Sequence, residues 1–357
     1  MKKLIALLAV ISLVLIWVAA SQSAPSHLLA QTTKPSSSST EKINLRFAID
    51  YPEPSSLNRF LIKPILDEIE QKSNGRITIT RYLGGILGKG PELYDMVKTG
   101  KVDFTSYATG YAPGRFPMCD VLSLPGAYEN NVDSQEVALE VYDRILYKEF
   151  PDTHSLSFHQ AQLFYVYTVA KPVRVMEDFK GLKLRTAGGF VTDAIKALGA
   201  APVPIPLGDV YTSLQTGVIN GVVIGPSAFP GFKLQEVLKH GTRFKFGTTT
   251  HVFTMNPNTW EKIPADLRKI MGEAVRKWGG YQMAMWQKDD TFVTKTLADK
   301  GGSTYTLPPA EEARWIDVLK PIVNNWLAGL KAKGLPADEL MNIVREETKK
   351  KNVPFPY

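Results

Sequence analysis

Arg185 is the side chain in this sequence best placed to do chemistry. Leu182, Leu184 and Thr186 alternate with Lys183 and Arg185, the period of a short half-buried strand. Gly188 and Gly189 follow. Phe190, Ala194, Ile195 and Leu198 then share one helical face, with Gly199 as the stop. The spacing therefore puts a cation at a strand end, just before a glycine turn and a helix N-terminus. In open α/β sheets ligands bind in that crevice. A guanidinium offers a planar fork of donors that fits a carboxylate or a phosphate. The same fork also suits a surface or interdomain salt bridge.

Other chemistries lack their residues. The run Gly84, Gly85, Gly88, Lys89, Gly90 invites a phosphate loop, but Leu83 stands where the first glycine is needed and Gly90 where Ser or Thr is needed. It reads as a glycine turn into a helix. His27, His154, His159, His240 and His251 have no zinc-protease spacing, and no nucleophile elbow or dinucleotide fingerprint is present. The single cysteine, Cys119, excludes an intramolecular disulfide or a multi-cysteine metal site. The neighbouring carboxylates Glu311 and Glu312, and Asp289 and Asp290, read as solvated helix faces. No basic tract with interleaved aromatics suggests nucleic acid. No catalytic set, metal site or cofactor is assigned.

The elements that must position Arg185 follow from periodicity. The 357 residues suit two domains. Strand, helix, strand over residues 43–49, 57–69 and 77–83 opens a parallel α/β unit. A helix over 91–99, a strand over 102–107, a helix over 134–150 and a strand-like stretch over 157–169 come next. Residues 201–206 hold Pro202, Pro204 and Pro206 and form an extended connector. Asp209 caps a helix over 210–216, and Gly221 to Ile224 is an apolar strand. A helix over 232–239 precedes an extended, threonine-rich stretch over 243–255. Pro264 starts a helix that runs to about Lys300, some 50 Å at ~1.5 Å per residue, long enough to brace both domains. Gly279 and Gly280 mark a place for a kink. A strand over 304–307 and helices over 309–332 and 336–350 close the chain.

The N-terminus has its own logic. Lys2 and Lys3 precede an apolar run from Leu4 to Ala20, and small residues follow. Residues 1–20 are expected to be a signal peptide, with an uncleaved anchor as the other reading. Residues 21–42 are a flexible Ser-rich linker. The formal net charge of +7, two units of it from Lys2 and Lys3, favours anionic partners.

Seven stretches in the correct order resemble the extracytoplasmic solute-binding proteins of tripartite ATP-independent periplasmic (TRAP) transporters. They are residues 84–88, 100–104, 110–117 (Gly110, Pro113, Gly114, Arg115, Pro117), 122–125, 177–185, 214–221 (Gln215, Gly217, Asn220, Gly221) and 255–266. The resemblance covers roughly residues 43–333. It implies the two-domain α/β fold of periplasmic binding proteins, with hinge strands and a long helix spanning both domains. The domains would be 43–162 plus 252–295, and 163–251 plus 296–357. It implies a monomer without catalytic activity or cofactor, periplasmic or extracytoplasmic and membrane-tethered where the anchor is kept, that captures a small organic acid and hands it to the small and large membrane subunits. Arg185 matches the arginine that pairs with the substrate carboxylate. Gln162 and His159 would add hydrogen bonds, Tyr111, Phe190, Phe229 and Phe253 apolar walls, and Asn220 a polar contact at its turn. Two departures bear on the ligand. Residues 162–167 hold no second arginine, and Val222 to Ile224 are apolar where relatives often carry an asparagine. A monocarboxylate with an apolar or aromatic body is therefore expected. A binding protein of another transporter or of a sensor, and a periplasmic hydrolase or lyase, are the alternatives.

Overall fold

The computed structural model describes residues 42–128 and 130–357. The expected signal peptide, and the linker up to residue 41, lie outside them. Among the described residues no helix is long and apolar enough to cross a membrane.

The strands are β1 (Ile43–Ala48), β2 (Ile77–Tyr82), β3 (Phe104–Ala108), β4 (His154–Gln160), β5 (Tyr165–Thr168), β6 (Lys183–Thr186), β7 (Ala201–Pro204), β8 (Gly221–Ile224), β9 (His240–Arg243), β10 (Thr250–Met255) and β11 (Ser303–Thr306). They form two sheets, ordered β2-β1-β3-β10-β4 and β11-β9-β5-β8-β6-β7. The helices are α1 (Lys63–Lys72), α2 (Leu93–Lys98), α3 (Asn131–Arg144), α4 (Phe190–Ala197), α5 (Val210–Gln215), α6 (Phe229–Phe232), α7 (Pro257–Lys262), α8 (Ala265–Asp299), α9 (Pro309–Ala332) and α10 (Ala337–Lys350). The α/β alternation is the one read from the chain's periods, and the two sheets are those that the resemblance implies.

The first sheet begins as expected. β1 pairs in parallel with β2 and β3, and Ile65, Leu66 and Ile69 of the crossover helix α1 are buried beneath it. The stretch over 157–169 divides differently. Its first part is β4, in the first sheet, and its second is β5, in the second sheet. The chain thus crosses between sheets over residues 161–164. It crosses back over 244–249, between β9 and β10. The two crossings are stitched by backbone bonds: Ala161 N–H to Thr249 C=O at 2.8 Å, Phe164 N–H to Gly247 C=O at 2.9 Å, and Phe246 N–H to Phe164 C=O at 3.0 Å.

The long helix α8 runs 35 residues and continues through Gly279 and Gly280. Its early face (Leu267, Met271, Ala274, Val275, Trp286) is buried in the core of the first sheet. Val293 and Leu297, near its end, are buried in a core of the second. One helix therefore braces both sheets.

Other expectations needed correction. Asp289 is not on a solvated face: it is buried and accepts a hydrogen bond from Ser56 Oγ at 2.7 Å, and Asp290 pairs with Arg243 at 2.7 Å. Glu311 accepts the indole N–H of Trp315 at 2.8 Å. Helix α3 starts before Ser134 because Asn130 caps it, accepting the N–H groups of Val132 and Asp133. The helix expected over 232–239 gives way to α6 and a separate 3-10 turn, broken where Lys233 takes a left-handed conformation. The proline-rich stretch over 201–206 is more than a connector, since its first part pairs with β6 as β7.

Candidate functional site

The loops after β1, β2 and β3 meet the loops after β6, β7 and β8. Ring and ion contacts mark the seam. Tyr51 packs edge-on against Phe232, with centroids 5.7 Å apart, and Lys89 bonds Asp209 at 2.6 Å. Asp209 therefore makes an ion pair, with no side-chain cap bond to α5. The closest approach is between backbones. A Cβ on Gly188 would lie 2.1 Å from the carbonyl oxygen of Gly110.

Arg185, next to last in β6, lies beneath this seam and is 1% exposed. Its Nε donates to the carbonyl of Ile205 at 2.9 Å. Ile205 lies between Pro204 and Pro206, whose fixed φ angles stiffen the carbonyl's position. That bond holds the side of the guanidinium and leaves its end free. Nη2 is buried with no hydrogen-bond partner. A buried donor without an acceptor costs free energy.

The end of Arg185 faces a small cavity of about 20 Å³, about the space of one water molecule. Tyr51, Tyr111, Phe164, Leu207 and Ile224 supply apolar wall, and Ser227, Thr249 and His251 supply polar atoms. Arg185 is the one Lys or Arg among the described lining residues. His251 lies beside His159, with ring centroids 4.8 Å apart, and Ser106 Oγ is 3.2 Å from His159 Nε2. Burial lowers the His251 pKa to about 3 and that of His159 well below the usual value. Both rings are neutral at ordinary pH, so they contribute dipoles rather than charge. Among the described residues no cluster of three or more His, Cys, Asp or Glu side chains could hold a metal ion.

The residues singled out from sequence fall into four groups. Arg185 and Tyr111 line the cavity. His159 and Gln162 stand behind it. Gln162 accepts Ser227 N–H at 2.7 Å and donates to the Trp286 carbonyl at 2.8 Å, tying the crossing segment to α8. Phe190, Phe229 and Phe253 are core side chains, buried in three different clusters. Asn220 is remote: its side chain accepts Lys183 N–H at 2.8 Å at the opposite end of β6. It lines a wider, open hollow of about 790 Å³ with Thr168, Lys171 and Leu214. That hollow has room but lacks a buried, unsatisfied charge among its residues, so the smaller cavity is the stronger site.

Sequence reasoning passed over Asp50, Tyr51, Ser227, Thr249 and His251. The signal for the first two was available. They lie two and three residues past the end of a parallel strand, near where Ala187 follows β6, but Pro52 and Pro54 made them look like a mere strand break.

A titrating contact lies across the seam. The Asp120 carboxylate accepts the N–H of Phe190 at the start of α4. Burial, with repulsion from Glu149 and Asp193, raises its pKa from 3.8 to about 7. The folded protein therefore holds a proton that the unfolded chain gives up between those values, and this group's contribution to stability falls as pH rises from about 4 to 7. Asp120→Asn keeps an acceptor and removes the charge. Its midpoint of thermal unfolding should exceed the native one at pH 8, and the difference should close as pH falls toward 4. A difference independent of pH would show that Asp120 is not the titrating group.

Comparison with known proteins gives a consistent picture. Residues 51–329 match the family model of the bacterial extracellular solute-binding proteins, family 7 (DctP). The C4-dicarboxylate-binding periplasmic protein DctP of Rhodobacter capsulatus is 26% identical over 258 residues, 71% of this chain and 77% of that protein. A TRAP solute-binding protein from Rhodoferax ferrireducens, solved with copurified benzoate, superposes with a TM-score of 0.82 at 26% identity, covering 87% of this chain and 98% of the other. A marine-metagenome TRAP solute-binding protein specific for aromatic acid ligands, solved with 3-hydroxybenzoate, gives 0.81 at 26% identity, covering 87% and 99%.

Proposed function

Because this chain belongs to family 7 of the bacterial extracellular solute-binding proteins, and is a TRAP solute-binding protein rather than an enzyme, we propose that it captures a monocarboxylate with an aromatic or apolar body. The observation that carries this is the buried, unpartnered Nη2 of Arg185 facing a largely apolar cavity. A carboxylate meeting the free end of the guanidinium makes a charge-assisted, bidentate pair, strengthened where water is excluded. The ring walls supply area and the polar atoms orientation. A single lining cation balances one carboxylate and leaves a second one unpaired, which disfavours dicarboxylates.

A ring acid exceeds the present cavity of about 20 Å³, so it enters with the two halves further apart, and they close round it with the cavity wider than it is here. The crossings at 161–164 and 244–249 act as the hinge, between domains 43–162 plus 252–295 and 163–251 plus 296–357. Contacts from both halves are made only when closed, so ligand shifts the population that way. A signal peptide over 1–20 delivers the chain outside the cytoplasm, and the loaded monomer passes its acid to the small and large membrane subunits.

Thermal unfolding of residues 41–357 against a panel of carboxylic acids tests this. A ligand at about 100 times its Kd adds ~2.7 kcal/mol of stability. Ring monocarboxylates should raise the midpoint, and the titrated acid should be recovered unchanged. A shift from dicarboxylates alone, or turnover of the acid, would count against the proposal.

A further inference from the structure

The cavity has a further polar feature, opposite in character to Arg185. Tyr111 lines it, and its hydroxyl donates to Asp50 Oδ2 at 3.0 Å. The pair is seated against Gly90, where a Cβ would lie 2.3 Å from the Tyr111 ring and 2.4 Å from Asp50 Oδ2. Only a glycine leaves room for this arrangement. A phenol has one proton and two lone pairs. With that proton engaged in the bond to Asp50, the Tyr111 oxygen has only lone pairs to offer any further partner.

Resting on the carboxylate reading above, we propose that Tyr111, oriented by Asp50, is a specificity determinant that selects acids whose body carries a hydrogen-bond donor, a hydroxyl or an amine, over those with none. Arg185 takes the carboxylate, and the Tyr111 oxygen accepts from the substituent. Burial and the nearby Asp50 charge push the Tyr111 phenol well above its usual range, so it keeps the proton it donates. Burial raises the Asp50 carboxyl, while the Tyr111 hydroxyl bond and the Arg185 charge oppose that rise. Asp50 in turn acts through Tyr111 and is a positioning residue.

The experiment is a calorimetric titration with benzoate, the three hydroxybenzoates and their methoxy counterparts. A methoxy group keeps the oxygen and removes the donor. At least one hydroxybenzoate should bind about tenfold or more tighter than both benzoate and its own methoxy partner. Tyr111→Phe should erase that preference and still bind benzoate. Asp50→Asn presents Tyr111 with either an acceptor or a donor, so the hydroxy-to-methoxy ratio should move toward one. If benzoate binds as tightly as every hydroxylated acid, Tyr111 has no such part, although the carboxylate reading stands. Preference for a methoxy acid would place the proton on Asp50 and overturn the proposal. If no ring acid binds, the carboxylate reading falls and this proposal with it.

Discussion

Arg185→Met is expected to abolish binding of the acid and to leave the unliganded protein as stable as before, or more so. The two effects separate because of how Arg185 is held. Its Nε is bonded to Ile205 C=O, but Nη2 is buried without a partner. A buried charge with an unsatisfied donor carries a desolvation cost that an apolar side chain of similar volume does not. Binding is another matter. Truncating one member of a buried, hydrogen-bonded charge pair costs about 2–5 kcal/mol, roughly 30-fold to several-thousand-fold in Kd. Arg185→Lys keeps the charge and loses both the fork and the anchor to Ile205, so its loss should be intermediate. Calorimetric titration and unfolding midpoints of both variants decide the matter. Binding by Arg185→Met within a few-fold of the native protein would make Arg185 structural. A large drop in its unliganded midpoint would point the same way.

The second large effect is expected at Gly188. Alanine there places Cβ 2.1 Å from the Gly110 carbonyl oxygen, on the far side of the seam. A backbone carbonyl cannot swing aside as a long side chain does, so the overlap is relieved by holding the halves apart. Affinity should fall at least ~100-fold, the factor by which a few kcal/mol against the closed state depletes it. Strain must be separated from overlap, because Gly188 has φ +95°, where an L-residue costs about 1–2 kcal/mol. Gly199 provides the control: its φ is +101° and nothing lies within 4 Å of a Cβ there. Gly199→Ala should lower stability and leave affinity unchanged. Gly188→Ala should lower affinity and enlarge the radius of gyration measured with ligand by X-ray scattering. Equal affinities in the two variants would refute closure through this contact.

Arg185 was legible in the sequence because it combines three local signals: strand alternation, a glycine pair and a helical period. Each is short-range, and each is realised in β6, the turn and α4. The brace was legible from the length of α8 alone. The rest of the cavity was not legible, because its walls come from chain ends far apart. Tyr51 follows β1, Tyr111 follows β3 and His251 is in β10, and no local pattern tells a wall from a core ring. Phe190, Phe229 and Phe253 show the reverse error: aromatic residues near the right elements, turned into cores instead. Asn220 is near Arg185 in pattern but sits at the wrong end of its strand, a distinction that needs the strand's direction relative to the seam.

Pro204 and Pro206, which steady Ile205, act with Pro202 to settle how the second sheet ends. β7 is an edge strand, and edge strands present unpaired N–H groups that invite other chains. Backbone N–H groups point alternately to either side of a strand. Ala201 directs its N–H inward, to the Leu182 carbonyl at 2.8 Å, so Val203 and Ile205 share that side by alternation. The outward positions are Pro202, Pro204 and Pro206, and proline has no N–H to give. The whole outer row of donors is missing along this border. A second copy of the chain, or an unfolded neighbour in a crowded compartment, meets carbonyl acceptors there but no donors, half of the ladder that a fibre needs.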